Sequence, residues 1–415
     1  MNFKNILAVL LFFACAFPYI SLIDTPFDTQ PYALMLSTLI VILFFFAEKQ
    51  VRVSRYIVLY GFFALYATLI FMFSHPSLDG IRSLVGYVSV FVIAFGSYLT
   101  FKYVKSRTLN IVIISWFLFG LIQLVISKDF GSSILPRLST SESRGITSLA
   151  VEPSFYSIMC LFFFLYNDYF KSAGKLSNKK YWFNNSLLII QIFISQAAIG
   201  VMILVFYLVL RAVSKGEFFK AFASILGVFT TLTFFIWIVL SNHSLLTTRA
   251  GSLIYMTVHD PMYIINNDGS VTDRLAHILI SFISIFHNFG LGFGFGTWTE
   301  NAFEEIGKNY SFIVELSSVN LTLGGRVMSG WGTVLYELGI IGLLFIIIYF
   351  FIIMRGYKKT KGKMKQFILY SGVTIAFIMM NAVPISLPIF CYSIGFLAYI
   401  GNNYYQEEKQ LETSQ

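Results

Sequence analysis

Two polar segments of the chain, residues 128–154 and 241–330, hold the side chains best suited to chemistry. Glu152 lies near the end of the first segment, just before an apolar run, where a carboxylate can act as a general base toward a hydroxyl. An acid followed by proline also suits the beginning of a helix, so Glu152 has a purely structural interpretation as well. His287 in the second segment is a further candidate proton acceptor.

Arginine supplies the second chemical signal in these segments. Its planar guanidinium binds phosphate or carboxylate oxygens in pairs, whereas a lysine offers only a point charge. We assign four arginines to the binding of an anionic group such as a diphosphate: Arg144, Arg249, Arg274 and Arg326. The structural alternative is that these arginines pair with the acidic residues of the same segments.

The sequence gives little support to metal, nucleotide or nucleic-acid binding. The five histidines show no metal-ligand spacing, and the three cysteines all fall inside apolar runs. The glycine-rich segment 290–296 lacks the Gly-Lys-Ser or Gly-Lys-Thr of a nucleotide loop, so it predicts a tight turn. The formal charge of +9 is concentrated in short connections between apolar runs, which indicates membrane topology. We therefore expect no metal, no cofactor and no nucleic-acid partner.

Membrane-spanning helices are the elements that would position these side chains. Hydrophobic residues make up 57% of the 415 residues and charged residues 12%, against about 25% charged residues in a soluble domain. Apolar runs long enough to cross a hydrocarbon core of about 30 Å lie near 6–23, 32–47, 56–73, 81–101, 109–127, 155–170, 218–240, 331–353, 366–384 and 386–401. The sequence predicts an all-α polytopic membrane protein with about 12 spans in total.

The distribution of lysine and arginine predicts the orientation. These residues cluster in alternate connections, which the positive-inside rule places in the cytoplasm together with both termini. Residues 128–154 and 241–330 then form two large extracytoplasmic loops. Six of the eight basic residues on the outer side are arginine, which favours an anion-binding role for that side. Within the second loop, apolar residues recur at helical spacing over 274–287, which predicts a helix lying in the membrane interface.

Residues 183–210 pose a problem for this topology, because both flanks are basic and the segment is short for two full spans. We expect two short, possibly re-entrant helices that meet at the polar break Ser195-Gln196. A single tilted span with an inverted second half is the alternative. The predicted organisation is a five-span bundle at 1–127, a first outer loop at 128–154, central spans at 155–240, a second outer loop at 241–330, a three-span bundle at 331–403 and a cytoplasmic tail at 404–415.

Five short pieces in order along the chain carry a resemblance to a known family. They are Arg144-Gly-Ile-Thr-Ser-Leu-Ala-Val-Glu152-Pro-Ser, Ser195-Gln-Ala-Ala-Ile-Gly200, Asp273-Arg274-Leu, Leu291-Gly-Phe-Gly-Phe-Gly296 and Glu337-Leu-Gly-Ile-Ile-Gly342-Leu. The chain resembles the bacterial O-antigen polymerase (Wzy) family and its relatives, the O-antigen ligases and exopolysaccharide polymerases. The resemblance lies in the order of these pieces, the number of predicted spans and the two large outer loops. Met328-Ser-Gly-Trp331 stands where ligases have a His-x-x-Asn-like stretch, and the paired Arg-x10-Gly motifs of some polymerases are missing.

The resemblance implies a metal-independent glycosyltransferase of the bacterial inner membrane. Such an enzyme moves a growing glycan from undecaprenyl diphosphate to a hydroxyl of a new lipid-linked repeat unit on the extracytoplasmic face. The implied partners are these lipid-linked units, the bilayer and a membrane protein that regulates chain length. An O-antigen ligase-type transferase is the alternative within this class. A lipid-linked oligosaccharide flippase is the alternative from another class, although flippases usually place ionisable groups inside their spans.

Overall fold

The computed structural model describes residues 3–21, 29–47, 53–73, 77–135, 138, 145–216, 230, 233, 237, 240–241, 249–260, 269–301, 327–381 and 383–413. This part of the chain contains α-helices and short 3-10 turns and has no β-strand. The helices are α1 Phe3–Ala16, α2 Tyr32–Ala47, α3 Arg55–Phe73, α4 Leu78–Thr100, α5 Ser106–Val125, α6 Pro153–Ser172, α7 Asn178–Ile194, α8 Ala198–Ser214, α9 Arg249–His259, α10 Gly269–Ile283, α11 Gly330–Leu338, α12 Ile340–Lys359, α13 Gly362–Asn381 and α14 Pro388–Thr413.

The outer surface of these helices is apolar, as a membrane protein requires. Four of the described helices are long and apolar enough to cross a membrane, namely α3, α4 with its short 3-10 extension, α5 and α12. In α3 one stripe containing Tyr60 and Ala64 is buried, whereas Met72 and Phe73 on the remaining surface are 72% and 89% exposed. Water disfavours such a surface and lipid does not. The all-α membrane fold is therefore supported, while the described helices do not establish 12 spans.

Helix α4 lies at the centre of the bundle. In α4, 72% of the apolar stretch is buried inside the protein, whereas the buried share is 39% in each of the other three long apolar helices. It packs against α1, α2 and α3, and most extensively against α14. Gly395 makes that last contact close, since a Cβ at this position would lie 2.0 Å from the backbone oxygen of Ala94. Helix α4 is therefore packed tightly against α14.

Helices α6, α7 and α8 form an antiparallel unit. The turn predicted at Ser195-Gln196 is confirmed, because α7 ends and α8 begins there and Gln196 has a left-handed φ of 51°. Each of the two helices has 17 residues, which corresponds to about 25 Å. Tyr181 near the start of α7 and Arg211 near the end of α8 both approach Asp168 of α6. The two helices therefore run in opposite directions, which the alternative of one tilted span does not allow.

The span predicted at 331–353 begins later in the structure, because α11 and α12 are separate helices and α12, Ile340–Lys359, is the one long enough to cross a membrane. Gly339 separates the two helices with φ 57° and ψ −131°, a conformation that glycine adopts most readily. A Cβ at Gly339 would lie 2.1 Å from the backbone oxygen of Gly290, so the approach of the glycine-rich segment also requires glycine here. Glu337 consequently lies at the end of a short helix that precedes the span, rather than inside the span.

Two other predicted boundaries differ from the structure. The first predicted span extends over 6–23, but α1 already ends at Ala16. The reason is Pro18, because a proline lacks an amide hydrogen and disfavours a helical conformation in the residue before it. At the other end of the chain, α14 extends as far as Thr413. Most of the region predicted as a tail, 404–415, is therefore helical.

Candidate functional site

A small cleft opens at the N-terminal end of α4, between this helix, α11 and the segment before Trp298. We call it the α4 cleft. Its lining combines two carboxylates, a guanidinium, hydroxyls and aromatic rings, from residues that include Asp79, Arg82, Ser83, Trp298, Tyr336 and Glu337. These residues come from three distant parts of the sequence. Their meeting point in the fold makes the cleft the first candidate for a binding site.

Glu337 is the buried carboxylate of the α4 cleft, with 6% of its surface exposed. Its Oε1 accepts a hydrogen bond from the hydroxyl of Ser83 at 2.5 Å, and its Oε2 accepts one from the hydroxyl of Tyr87 at 2.9 Å. Both donors belong to α4, so these bonds fasten the end of α11 to the central helix. A buried carboxylate requires such donors.

Arg82 is the positive group of the α4 cleft. Its Nη1 lies 2.9 Å from Oδ1 of Asp79, one turn earlier in α4. This pairing of an arginine with a neighbouring acid is the structural alternative to anion binding. With side chains 20% and 36% exposed, such a pair contributes only about 0.2 to 1 kcal/mol to stability. Arg82 also lines an adjacent cleft, so its guanidinium is within reach of a ligand on either side.

The glycine-rich loop packs between α11 and α4. Four of its glycines have φ values between 74° and 81°: Gly290, Gly292, Gly294 and Gly296. A Cβ at Gly292 would lie 2.5 Å from the backbone oxygen of Glu337, so no larger residue fits there. The amides of Phe293 and Gly294 donate to carbonyls at the end of α11 at 2.8 and 3.2 Å. The predicted tight turn is confirmed. The amides of Phe293 and Gly294 are already bonded to carbonyl oxygens of α11, so they are not available to bind a phosphate.

His277 of α10 lies behind the wall of the α4 cleft. Its ring centroid is 4.8 Å from that of Trp298, and its Nδ1 accepts the backbone N–H of Met328 at 3.0 Å. Burial lowers the pKa of His277 to about 4, so the ring is neutral at physiological pH and carries its hydrogen on Nε2. In the described part of the chain, neither this Nε2 nor Nε1 of Trp298 has a hydrogen-bond partner.

Helix α10 turns its small and polar side chains toward the protein. On this face the side chains are at most 1% exposed: Ala276, His277, Ile280 and Ser281 of α10 and Ser284 of the 3-10 turn that follows it. On the other side, Phe282 of α10 and Phe286 of that turn are 40% and 85% exposed. This is the orientation expected of a helix that lies in a membrane interface. The helix begins at Gly269, earlier than its predicted start at Arg274.

Glu152 does not line the α4 cleft. It occupies the N-cap position of α6 with Pro153 after it, which is the arrangement of the structural interpretation. Its side chain, however, makes no capping bond and instead accepts a hydrogen bond from the hydroxyl of Ser154 at 3.3 Å. The preceding segment is fixed by Gln123 of α5, whose Oε1 accepts the amide of Ser148 at 2.6 Å. Glu152 is therefore a half-buried carboxylate in a well-anchored position.

The structure describes part of the remaining predicted site. His287 lies half-buried in the turn after α10, and Arg274 lies half-buried within α10. Arg249 begins α9, but its side chain is outside the described residues. The described residues do not include Arg144 and Arg326. In the described part of the chain, the side chain of Glu152 is hydrogen-bonded to Ser154.

Comparison with known proteins places the chain in no family, since no family model matches it and no curated protein matches it. The site must therefore be interpreted from its own chemistry. The sequence does not predict the α4 cleft, because Ser83 and Tyr87 lie inside an apolar run and Glu337 falls within the predicted span 331–353. One signal was available, because Ser83 and Tyr87 are four residues apart and share a face of α4.

Asp168 is the centre of a second buried polar cluster, near the C-terminal end of α6. Its carboxylate, 1% exposed, accepts hydrogen bonds from the hydroxyls of Tyr181 at 2.7 Å, Tyr370 at 2.8 Å and Tyr207, and it lies 3.5 Å from Nε of Arg211. Four donors from α7, α8 and α13 occupy the acceptor positions of the carboxylate. The cluster therefore joins four helices and has little capacity left for a substrate.

Proposed function

We propose that the chain is a glycan polymerase of the bacterial inner membrane, of the O-antigen or exopolysaccharide type. It transfers a growing glycan from undecaprenyl diphosphate to a hydroxyl of a new lipid-linked repeat unit on the extracytoplasmic face. The observation that carries the proposal is the α4 cleft, where a buried carboxylate, an arginine and aromatic rings meet at the end of a central apolar helix. A lipid-linked sugar needs such a site, because its lipid stays in the bilayer while its glycan reaches the helix ends.

The reaction replaces one glycosidic bond by another. The acceptor hydroxyl oxygen attacks the anomeric carbon of the donor glycan, and the bond from that carbon to the diphosphate oxygen breaks. The hydroxyl proton passes to a base, and the diphosphate leaves with the electron pair. Arginines fixed in a site of low dielectric stabilise the charge on the leaving group without a metal or cofactor. A single displacement of this kind inverts the anomeric carbon.

We assign the diphosphate to Arg144, Arg249, Arg274 and Arg326, of which Arg274 is held by α10. Glu152 is the first proposed base and His287 the second. The role of Glu152 is open to a direct test, because positioned proton transfer contributes about 10² to 10⁴ in rate. Elongation by Glu152→Gln at more than about a tenth of the normal rate would remove Glu152 from this role.

The decisive experiment measures the chain length of the surface glycan in a strain that lacks the gene for this protein. A polymerase defect leaves single repeat units that are still attached to their final carrier, and it removes all longer chains. Complete loss of surface glycan would instead indicate a ligase or a flippase and would contradict the proposal. Purified protein in proteoliposomes should then elongate isolated lipid-linked repeat units without added nucleotide. Bilayer and lipid-linked substrate suffice for this reaction, whereas a chain-length regulator changes only the product distribution.

A further inference from the structure

We propose that the first turn of α3 and the last turns of α12 bind the phosphate of an anionic phospholipid between the guanidiniums of Arg55 and Arg355. Arg55 begins α3, and Arg355 lies near the end of α12, followed by Lys358 and Lys359. The positive-inside rule assigns this end of the two helices to the cytoplasm. The site is therefore separate from the α4 cleft and from the proposed polymerase reaction.

Tyr56 brings the two arginines together. The Cζ atom of Arg55 lies 4.9 Å from the centroid of the Tyr56 ring, and the Cζ atom of Arg355 lies 5.6 Å from it. Nη2 of Arg55 also donates a hydrogen bond to the Tyr56 hydroxyl at 3.0 Å. Phe351, one turn before Arg355, stacks on the same ring with centroids 6.4 Å apart. One ring therefore holds two positive charges close to each other where α3 and α12 meet.

The packing of α3 on α12 fixes this geometry. One turn further into the bundle, the rings of Tyr60 and Phe345 meet edge to face at 4.7 Å, and the hydroxyl of Tyr60 donates to the backbone oxygen of Phe345 at 3.4 Å. Both side chains are 1% exposed. The two guanidiniums start from helices that are held together, so little order has to be gained when a ligand binds.

The charge around this arginine pair calls for an anion. In the residues that the structure describes, no carboxylate forms a salt bridge with Arg55 or Arg355, and Nε of Arg355 is buried without a hydrogen-bond partner. The ring of Tyr56 attracts both cations but carries no net charge. Like charges repel more strongly at the edge of a membrane than in water. A phosphate would neutralise the pair, since its oxygens accept hydrogen bonds from guanidiniums two at a time.

The surroundings of the arginine pair favour the phosphate of a lipid over a free phosphate. Large apolar side chains within one turn of the arginines face outward, with Val58 45%, Phe351 48% and Met354 50% exposed. Acyl chains would cover this surface below the bound phosphate. Lys358 and Lys359 are exposed in the last turn of α12. Their positive charge favours a headgroup of net negative charge over a zwitterionic headgroup.

Phosphatidylglycerol is the probe for this site, and phosphatidylcholine is its zwitterionic counterpart. Each lipid is titrated into the full-length protein in a neutral detergent, and native mass spectrometry counts the bound lipids. We expect one phosphatidylglycerol to bind saturably, at least tenfold more tightly than phosphatidylcholine. Arg55→Gln and Arg355→Gln should each weaken phosphatidylglycerol binding by about tenfold or more, the loss typical of a charge-assisted hydrogen bond.

Arg107→Gln is the matched control. It makes the same chemical change at an exposed arginine in the first turn of α5, which the same rule assigns to the cytoplasm, and it should bind phosphatidylglycerol like the wild type. Arg355→Lys keeps the charge but loses the paired donors, so it should also bind more weakly. Melting in detergent is measured first for every variant. If Arg355→Gln fails to fold, the exposed Arg55→Gln and the conservative Arg355→Lys carry the test.

Glycerol 3-phosphate separates the two sources of phosphate, because it has the phosphate of the lipid but no acyl chains. Displacement of the lipid by an equal concentration of glycerol 3-phosphate would overturn the lipid site. Equal affinity for phosphatidylcholine, wild-type binding by the folded arginine variants, or an equal loss in Arg107→Gln would overturn it as well. No glycan substrate is present in these titrations, so their outcome is independent of the polymerase function.

Discussion

At the scale of single residues, two buried carboxylates differ in their position, because Asp168 is enclosed between helices and Glu337 lines a cleft. Asp168 is surrounded by three tyrosine hydroxyls and Arg211. Glu337 accepts bonds from Ser83 and Tyr87 and lines the α4 cleft. The same chemical group can therefore join helices in one place and contact a ligand in another. We expect substitutions of Asp168 to act on stability and substitutions of Glu337 to act on binding.

Asp168→Asn should destabilise the protein strongly. The change removes the charge opposite Arg211 and leaves its buried donors with a weaker partner, and breaking a buried ion pair costs about 3 to 5 kcal/mol. Tyr370→Phe is the milder comparison, because it removes one hydrogen bond to a charged group, worth about 1.5 to 3 kcal/mol. Thermal melting in detergent measures both. Equal melting of Asp168→Asn and the wild type would show that the cluster does not join the helices.

His277 should make stability depend on pH in the acidic range. Burial lowers the pKa of His277 to about 4 in the folded protein, whereas the unfolded side chain titrates near 6.5. As the pH falls through this interval the unfolded chain takes up the proton first, so stability is full above about pH 6.5 and is lost toward pH 4. His277→Asn keeps an acceptor for Met328 but cannot titrate. We expect its melting temperature to change less between pH 7 and pH 5, and parallel curves would contradict this.

At the scale of elements, the sequence predicts the break between α7 and α8, where the polarity of the chain changes. It does not predict the break between α11 and α12, which depends on backbone geometry. Ser195-Gln196 interrupts an apolar segment with basic flanks, so charge and hydropathy both point to a turn there. Gly339 lies inside an uninterrupted apolar run, and its positive φ depends on a loop that arrives from the region of Gly290. The contacts of Glu337 join residues about 250 positions apart. Local periodicity contains no information about such pairs, which is why the α4 cleft was not predicted.

The glycine loop offers a matched pair of substitutions. Gly292 and Gly294 have nearly the same φ, 81° and 80°, so alanine at either position costs about 1 to 2 kcal/mol of backbone strain. Only at Gly292 would the Cβ meet other atoms, 2.5 Å from the backbone oxygen of Glu337, whereas at Gly294 no atom lies within 4 Å. Gly292→Ala should therefore displace the end of α11 and abolish elongation, while Gly294→Ala should retain it.

Elongation per folded protein measures this difference, with melting as the control for loss of fold. If Gly292→Ala and Gly294→Ala lose similar amounts of elongation activity, backbone strain alone explains the loss. The loop would then have no special contact with α11. A normal rate in Gly292→Ala would show that the position of Glu337 does not limit the reaction.

At the scale of the whole molecule, α13 connects the two polar sites at different levels of the bundle. Tyr370 in its first half donates to Asp168. The residues directly after its end, including Pro384 and Ser386, line the α4 cleft. The Asp168 cluster and the α4 cleft therefore lie at different heights, with apolar helices between them. The positive-inside rule assigns the cleft end of α13 to the outer side, because lysines cluster at its other end.

Thiol labelling tests this orientation with little background, because the three native cysteines are fully buried: Cys15, Cys160 and Cys391. A cysteine at the exposed Glu300, next to the α4 cleft, should react with a membrane-impermeant maleimide in intact spheroplasts. A cysteine at the exposed Lys175, between α6 and α7, should react only after the membrane is permeabilised. The reverse pattern would place the cleft in the cytoplasm. Lipid-linked repeat units that have already crossed the membrane could not reach it there, and the proposed polymerase function would fail together with the topology.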